Sequence, residues 1–477
     1  MSLLPLLVLL LGFAFVLQLL QGGWRAALPL VVVLGFLQDP LRKSLPGQPP
    51  LTVGLVLVAA ACCAVAIVQQ RRGLDLPLLQ ATMPPLGQWL PLYATLLVLQ
   101  ALHGLVRFGQ PLLSLIGVGF YVAPLLGLWL GFEVASEPPL LHRLLQLYVW
   151  LSVPAAWGVW LSYRGVQHPL LKEVGEGILI DFRSGLSMYG ACGFWRTSEV
   201  AAWHLATASC LALVLATASR RRSAVLGYGL LALAFVGLTL FTGRRKAQVL
   251  VLLFVALDAL LLQRWLRAPW RRWLVGNLVA LAGVSGLASL LLLPWLRASG
   301  GMGEYVKRAL SVRHELWDRF ALLAIGGSNR ALELYGLFGL GAGAATQTGD
   351  LDFGRRQLLG RSIGYVAESG SGRLMAELGL LGVLLLLVGL ALLVVMLARN
   401  LSLLRELPQP WVNLQLGLVA FTLANVPLYL AASGVYGDPF VLLLLSLALG
   451  SALAVPLLVA RQRGVQLSGR GDAPSLR

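Results

Sequence analysis

The chain contains 477 residues, of which 58% are hydrophobic and only 12% are charged, and its formal net charge is +17. A soluble globular domain is about 45–50% apolar, so the composition excludes that class and predicts an all-α polytopic membrane protein. Arginine-rich cytoplasmic loops account for most of the positive charge, and no nucleic-acid partner is expected.

Apolar runs bounded by charged residues or by proline and glycine predict about 12–13 membrane-spanning helices, since a bilayer core takes about 20 apolar residues. The second run is short, so the first two runs form either two crossings, one crossing or a re-entrant pair. In chain order the runs are 3–20, 26–37, 51–68, 86–105, 111–132, 141–161, 201–218, 224–241, 247–262, 274–295, 374–398, 412–432 and 439–460.

Basic residues in short loops predict which side of the membrane each loop occupies. Four arginines follow the last run, so the C-terminal tail is expected in the cytoplasm. Counting the spans backwards places the other basic loops on the same side, at 71–72, 220–222, 264–272 and 399–405. The same count places 39–50, 164–200 and 296–372 outside.

This register also places Arg244, Arg245 and Lys246 outside, between the runs 224–241 and 247–262. Three cations at the outer face run against the usual bias and are costly near the hydrocarbon core. Such a cluster suggests an anionic ligand.

The long external segment 296–372 carries nine basic and seven acidic residues, a mixture that suits a polar ligand beside an anion. Apolar residues at helical spacing predict an amphipathic helix over 304–324 on the outer membrane surface. A glycine-rich turn at 335–343 allows close approach of a backbone.

We divide the chain into N-terminal transmembrane helices (1–192), a central region (193–398) that includes the loop 296–372, C-terminal transmembrane helices (399–460) and a cytoplasmic tail (461–477).

An ordered set of segments resembles the bacterial family of O-antigen ligases and Wzy-type polysaccharide polymerases. The segments are GFWRTSE at 193–199, TGRRK at 242–246, an Arg–Trp helix at 313–317, GLG at 339–341 and LMAELGLLG at 374–382. The string QDPLRK at 38–43 is similar to exopolysaccharide polymerases of this family.

The resemblance implies a metal-independent GT-C-type glycosyltransferase of the bacterial inner membrane, without a cofactor, whose active site faces the periplasm. The implied substrate is a polyprenyl-diphosphate-linked oligosaccharide, handled beside membrane lipid, and a chain-length regulator and a flippase are implied partners. Ligases of the family carry a histidine at the position that corresponds to Glu368 here. This departure favours a polymerase.

Transfer from a diphosphate carrier needs fixed cations for the leaving group and a base for the acceptor hydroxyl. Arg244 and Arg245 are the predicted catalytic cations, because arginine binds phosphate through two N–H groups, and Lys246 adds to the field. Glu368 is the predicted base. Glu199 is an alternative base, or its role is only to orient Arg196.

Further substrate contacts are predicted at Arg196 for phosphate, and at Arg313, Arg319 and His314 for the glycan. His204 is expected to be a packing histidine. Asp258 lies within an apolar run, and we expect it to form a hydrogen bond within the bundle.

Three other functions remain open at this point. A ligase of the same fold would use the same donor. A transporter or flippase of lipid-linked glycan should carry polar residues near mid-membrane, broken helices and repeats, whereas here the polar residues concentrate in loops at one face. A membrane anchor does not explain the large, charge-mixed external loop.

Overall fold

The protein is described by a computed structural model that covers residues 3–21, 23–70, 84–174, 179–181, 187–276, 305, 317–345 and 368–463. Within these residues, 12 helices are long and apolar enough to cross a membrane, which confirms a polytopic helical membrane protein. They coincide with 12 of the 13 predicted runs. The remaining run, 274–295, lies largely outside the described residues.

The described elements are almost all helical, with one two-stranded antiparallel hairpin. In chain order they are α1 Leu3–Gln21, α2 Trp24–Ser44, α3 Leu55–Gln70, α4 Pro84–Phe108, α5 Pro111–Ala135, α6 Pro138–Tyr163, β1 Leu179–Asp181, β2 Ser187–Tyr189, α7 Ser198–Ala218, α8 Arg222–Phe241, α9 Arg245–Trp265, α10 Gly327–Tyr335, α11 Gly370–Leu403, α12 Gln409–Ala431, α13 Pro439–Leu453 and α14 Val455–Gln462.

Helix α7 lies at the centre of the bundle, and nearly all of its residues are buried. It packs against α6, α8, α9 and α12. Its many alanines allow neighbouring helices to approach closely, as is typical of packing in membranes. Helix α1, in contrast, exposes leucines such as Leu9 and Leu20 on its surface. Helix α7, which starts at Ser198, is therefore the most deeply buried of the 12 candidate spans.

Contacts between loops show which loops share an end of the bundle. Arg25, the second residue of α2, pairs with Glu137, and Arg461 of α14 donates to the Ser136 carbonyl. The start of α2, the turn between α5 and α6 and the end of α14 therefore share one end of the bundle. Lys43, at the other end of α2, donates to the Gly193 carbonyl. The first two apolar runs are thus two separate helices, and the segments that share an end of the bundle are those that the arginines group together.

Helix α2 is longer than its predicted span, which ended at residue 37. The helix continues through the polar string 38–43 because these side chains are buried against other segments at that end of the bundle. A buried charge is tolerated only when it is paired or hydrogen-bonded. The hydropathy of this string therefore gave too short a helix.

The external helix predicted over 304–324 is only partly within the described residues. From Trp317 the chain is helical as far as Tyr335, beyond the predicted end, and includes a π-helical turn at Ala321–Gly326. Ala324, in this turn, accepts a hydrogen bond from the Ser371 hydroxyl at 2.7 Å. The helix continues beyond residue 324 because this side packs on α11.

The glycine-rich turn after α10 folds back against an interruption in α11. Gly379 has φ 68°, which breaks the helix and leaves carbonyl groups without their usual helical donors. The Leu340 and Gly341 N–H groups donate to the Ala376 and Glu377 carbonyls, at 2.7 and 3.1 Å. The two glycine motifs of the sequence thus satisfy each other's backbone.

A polar side chain from α4 also binds both segments. We call the contact of the glycine-rich turn with α11 at Gly379 the interlock. The Gln100 side-chain amide donates to the Phe338 and Leu378 carbonyls at 3.0 and 3.2 Å, and the Gln100 backbone carbonyl accepts from Ala342 N–H at 3.0 Å. Gly341 packs so closely on Gly104 that an added Cβ would lie 2.3 Å from the Gly104 nitrogen. The turn is therefore part of the membrane domain's packing.

We predict that Gly379→Ala destabilises the protein by at least about 1–2 kcal/mol, the cost of a left-handed conformation for a residue with a Cβ. The added Cβ would also lie 2.2 Å from the Leu337 carbonyl oxygen. Thermal unfolding of the purified protein in detergent measures the effect. Gly227→Ala in α8 is the control: no atom lies within 4 Å of its Cβ position, so it should unfold at or above the wild-type temperature. Equal unfolding temperatures for both variants would contradict the interlock.

Candidate functional site

A buried ion-pair network centred on Arg196 joins three segments at one end of the bundle. The Arg196 guanidinium donates from Nη1 to Asp39 Oδ1 at 3.0 Å and to Asp438 Oδ2 at 2.6 Å. The Arg196 backbone N–H donates to Asp39 Oδ2 at 3.0 Å, and the Gln38 amide donates to both Asp438 oxygens. Both carboxylates are fully buried, so the arginine offsets the cost of removing them from water.

The electrostatics of this network follow from its charges. Burial disfavours the charged form of each group, but attraction between the partners outweighs it. The pKa of Arg196 is therefore raised, and Arg196 holds the pKa of Asp438 below its usual range. Asp438 also accepts from Phe440 N–H at 2.8 Å and so caps the start of α13.

The turn before Arg196 is held by a buried lysine from α2. Lys43 Nζ donates to the Leu170 and Gly193 carbonyls at 3.0 and 2.9 Å. The Cys192 thiol lies 3.7 Å from the same nitrogen, and burial raises its pKa although the lysine charge opposes the shift. These contacts make 190–197 a fixed turn that presents the N-terminus of α7.

Arg244 reaches the N-terminus of α7 from the N-terminus of α9. Gly243 has φ 66°, which allows the sharp turn out of α8, and Arg244 is the residue preceding α9. The Arg244 Nε donates to the Ser198 hydroxyl at 3.0 Å. Two helix N-termini, each with backbone N–H groups and a positive dipole end, therefore meet beside three basic residues. This arrangement favours binding of an anion.

Glu173 lies beside the same two helix starts and was not singled out from the sequence. Its Oε1 accepts from Ser198 N–H at 2.9 Å and from the Ser198 hydroxyl at 3.2 Å. Burial raises the pKa of Glu173, although Ser198 and the charge of Arg244 act in the opposite direction. A carboxyl with a raised pKa in a cationic site is a candidate for proton transfer.

Lys246 pairs with Glu199, whose carboxylate Oε1 lies 2.6 Å from the lysine nitrogen. The same carboxylate packs against Gly434, where an added Cβ would be 3.0 Å from Oε1. The expectation that Glu199 orients Arg196 is wrong, because Asp39 and Asp438 fill that role.

Glu368 contacts the short loop between α12 and α13. Its side chain is exposed, and its backbone carbonyl accepts from Ser433 N–H at 2.8 Å. Ser433 immediately precedes Gly434, the residue that Glu199 contacts. The loop, which we call the junction loop (432–438), thus connects the predicted base to the cation cluster.

The remaining predicted residues fall in different places. Arg319 is exposed in the helical segment described from Trp317, and Arg313 and His314 lie outside the described residues. His204 is buried among aromatic rings, stacked on Trp195, with the Tyr148 hydroxyl 2.7 Å from Nδ1, as expected for a packing histidine.

Asp258 differs from its prediction. Its side chain is buried, but within the described part of the chain Oδ1 has no hydrogen-bond partner. The bundle hydrogen bond expected from the sequence is not formed by this oxygen.

No protein-family model matches this chain, and the search of curated proteins also gave no match.

We predict that Asp438→Asn lowers the free energy of unfolding by about 3–5 kcal/mol at neutral pH, because it breaks a buried ion pair. The pKa of Asp438 is lower in the folded state, so its contribution is present above the unfolded pKa of about 3.9 and is lost as the pH falls through the folded value. As the pH is lowered from 7 to 3, the unfolding temperature should therefore fall less steeply in the variant than in the wild type.

The matched control is Glu406→Gln, which breaks an exposed pair with Arg463 at 2.6 Å at the other end of the bundle. An exposed pair is worth at most about 1 kcal/mol, so this variant should unfold near the wild-type temperature. An equal loss in both variants would refute the special role of the buried network.

Proposed function

We propose that the protein is a polysaccharide polymerase of the bacterial inner membrane, which transfers glycan from a polyprenyl-diphosphate carrier to a lipid-linked glycan at the periplasmic face. The observation that carries the proposal is the meeting of two helix N-termini with Arg244, Arg245 and Lys246 at one end of a membrane bundle. That end is where the diphosphate of a membrane-embedded carrier would lie.

In the proposed reaction, the cations stabilise the leaving diphosphate. The acceptor hydroxyl oxygen attacks the sugar's anomeric carbon, the bond from that carbon to the diphosphate oxygen breaks, and the hydroxyl proton passes to a base. Negative charge grows on the diphosphate, so fixed N–H donors and cations lower the barrier. Arg244 and Arg245 supply such donors, and the Lys246–Glu199 pair positions the third cation.

Arg196 supports this site indirectly. Two buried carboxylates engage its guanidinium, so its main contribution is to fix the turn that starts α7. A direct phosphate contact by Arg196 stays a prediction from the resemblance.

Two carboxylates are candidates for the base. Glu368 is exposed and lies next to the junction loop, which suits contact with an incoming sugar. Glu173 is closer to the cations, since it shares Ser198 with Arg244. Glutamate at 368, where the ligases of the resembling family have histidine, favours a polymerase over a ligase. A flippase and a chain-length regulator are the protein partners that this function implies.

We predict that Arg244→Ala and Arg245→Ala each reduce high-molecular-weight polysaccharide about a hundredfold, the order seen when one donor to a developing anion is removed. Gel analysis of polymer from a complemented deletion strain, with immunoblots for the protein, measures the effect. Arg221→Ala, an exposed arginine before α8 at the other end of the bundle, is the control and should give normal polymer. Normal polymer from both test variants would overturn the diphosphate assignment.

A second pair of variants separates the candidate bases. Glu368→Gln should abolish polymer while leaving carrier binding intact, because the amide keeps the shape but does not accept the proton. Glu173→Gln should reduce polymer only a few-fold if its role is to hold Ser198. The reverse order of effects would assign the base to Glu173, and normal polymer from Glu368→Gln would remove Glu368 from the mechanism.

A further inference from the structure

A second feature lies beside the junction loop, which contributes Tyr436 to its lining. It is a cavity of about 570 Å³ between α4, α5, α11 and α13, lined almost entirely by apolar and aromatic side chains. The polymerase chemistry described above makes no use of it.

The cavity is elongated along helix α5. Its lining on α5 extends from Phe120 to Glu133, which corresponds to about 20 Å at the rise of a helix. Half of a bilayer's hydrocarbon core is about 15 Å. A cavity of this length suits a hydrocarbon chain longer than one leaflet.

The two ends of the cavity carry opposite charge types. Arg373 lies at the junction-loop end, with its guanidinium 4.9 Å from the Phe120 ring centre and its Nε 3.5 Å from Glu377. Glu133 lines the far end, three residues before Ser136 at the opposite end of the bundle. An anionic head group would be attracted to the Arg373 end and disfavoured beside Glu133.

Arg373 and Glu199, the partner of Lys246, both face the junction loop. The Arg373 Nη1 would lie 3.7 Å from a Cβ at Gly437, and the Glu199 partner of Lys246 faces Gly434. Two cationic positions are thus separated by only a few residues of the junction loop. Transfer between two lipid-linked glycans needs two anionic head groups held close together.

We propose that this cavity holds the isoprenoid chain of a second lipid-linked glycan, the acceptor, with its phosphate end at Arg373. The donor diphosphate then lies at Arg244, Arg245 and Lys246. This assignment rests on the proposed function and adds to it that the donor and acceptor head groups lie near different residues of the junction loop.

The test counts carriers bound to the full-length protein. Native mass spectrometry with synthetic undecaprenyl diphosphate should show two molecules per wild-type chain. Leu386→Trp, which fills the cavity, should show one, whereas the neighbouring Leu387→Trp should still show two, because Leu387 is 52% exposed on the helix surface and does not line the cavity. Leu390→Trp, at a cavity position that is 47% exposed, provides a second filling variant with less risk to folding.

The proposal is overturned if wild-type protein binds no more than one carrier, if both filling variants still bind two, or if phosphatidylglycerol at equal concentration displaces the second carrier. Its failure is distinct from failure of the proposed function. Loss of polymer in Arg244→Ala with only one carrier bound to wild type would remove the second site alone. Normal polymer in Arg244→Ala and Arg245→Ala would remove the diphosphate assignment, whatever the number of carriers.

Discussion

The structure of the site depends on one buried interaction, the pairing of Arg196 with Asp39 and Asp438. Charges taken out of water must be compensated by partners of opposite sign and by hydrogen bonds. Because the two carboxylates belong to α2 and to the start of α13, the pairing fixes both against the start of α7. The junction loop ends at Asp438, so its position, and with it the contacts to Glu199 and Arg373, follows from this pairing.

The basic residues at this end of the bundle divide into two kinds. Arg196 and Lys43 are engaged by buried acceptors and define the shape of the turn before α7. Arg244, Arg245 and Lys246 are half-buried at the start of α9, where helix geometry adds its own positive field. The sequence predicted a phosphate contact for Arg196 and no role for Lys43, because it does not show which basic residues are paired with buried acceptors.

Hydropathy predicted the helices because a bilayer imposes one length and one polarity on every span. Arginine placement predicted which loops share an end. What could not be read from the sequence was pairing over long separations, such as that of Arg196 with Asp39 and Asp438, 157 and 242 residues away. Glu199 was given the wrong partner for the same reason: Arg196 is near it in sequence, but Lys246 is near it in space. Glu173 lies in none of the sequence motifs, so its place in the site could not be predicted.

The interlock of the glycine turn with α11 has a consequence for how such a protein can diversify. Ala345 N–H is bound to the Glu377 carboxylate, and the Glu368 carbonyl is bound to Ser433, so residues 346–367 begin and end at fixed points on the same end of the bundle. A segment inserted between two anchored points can be exchanged without altering the membrane core. Replacement of that insert therefore leaves the anchors and the cation cluster in place.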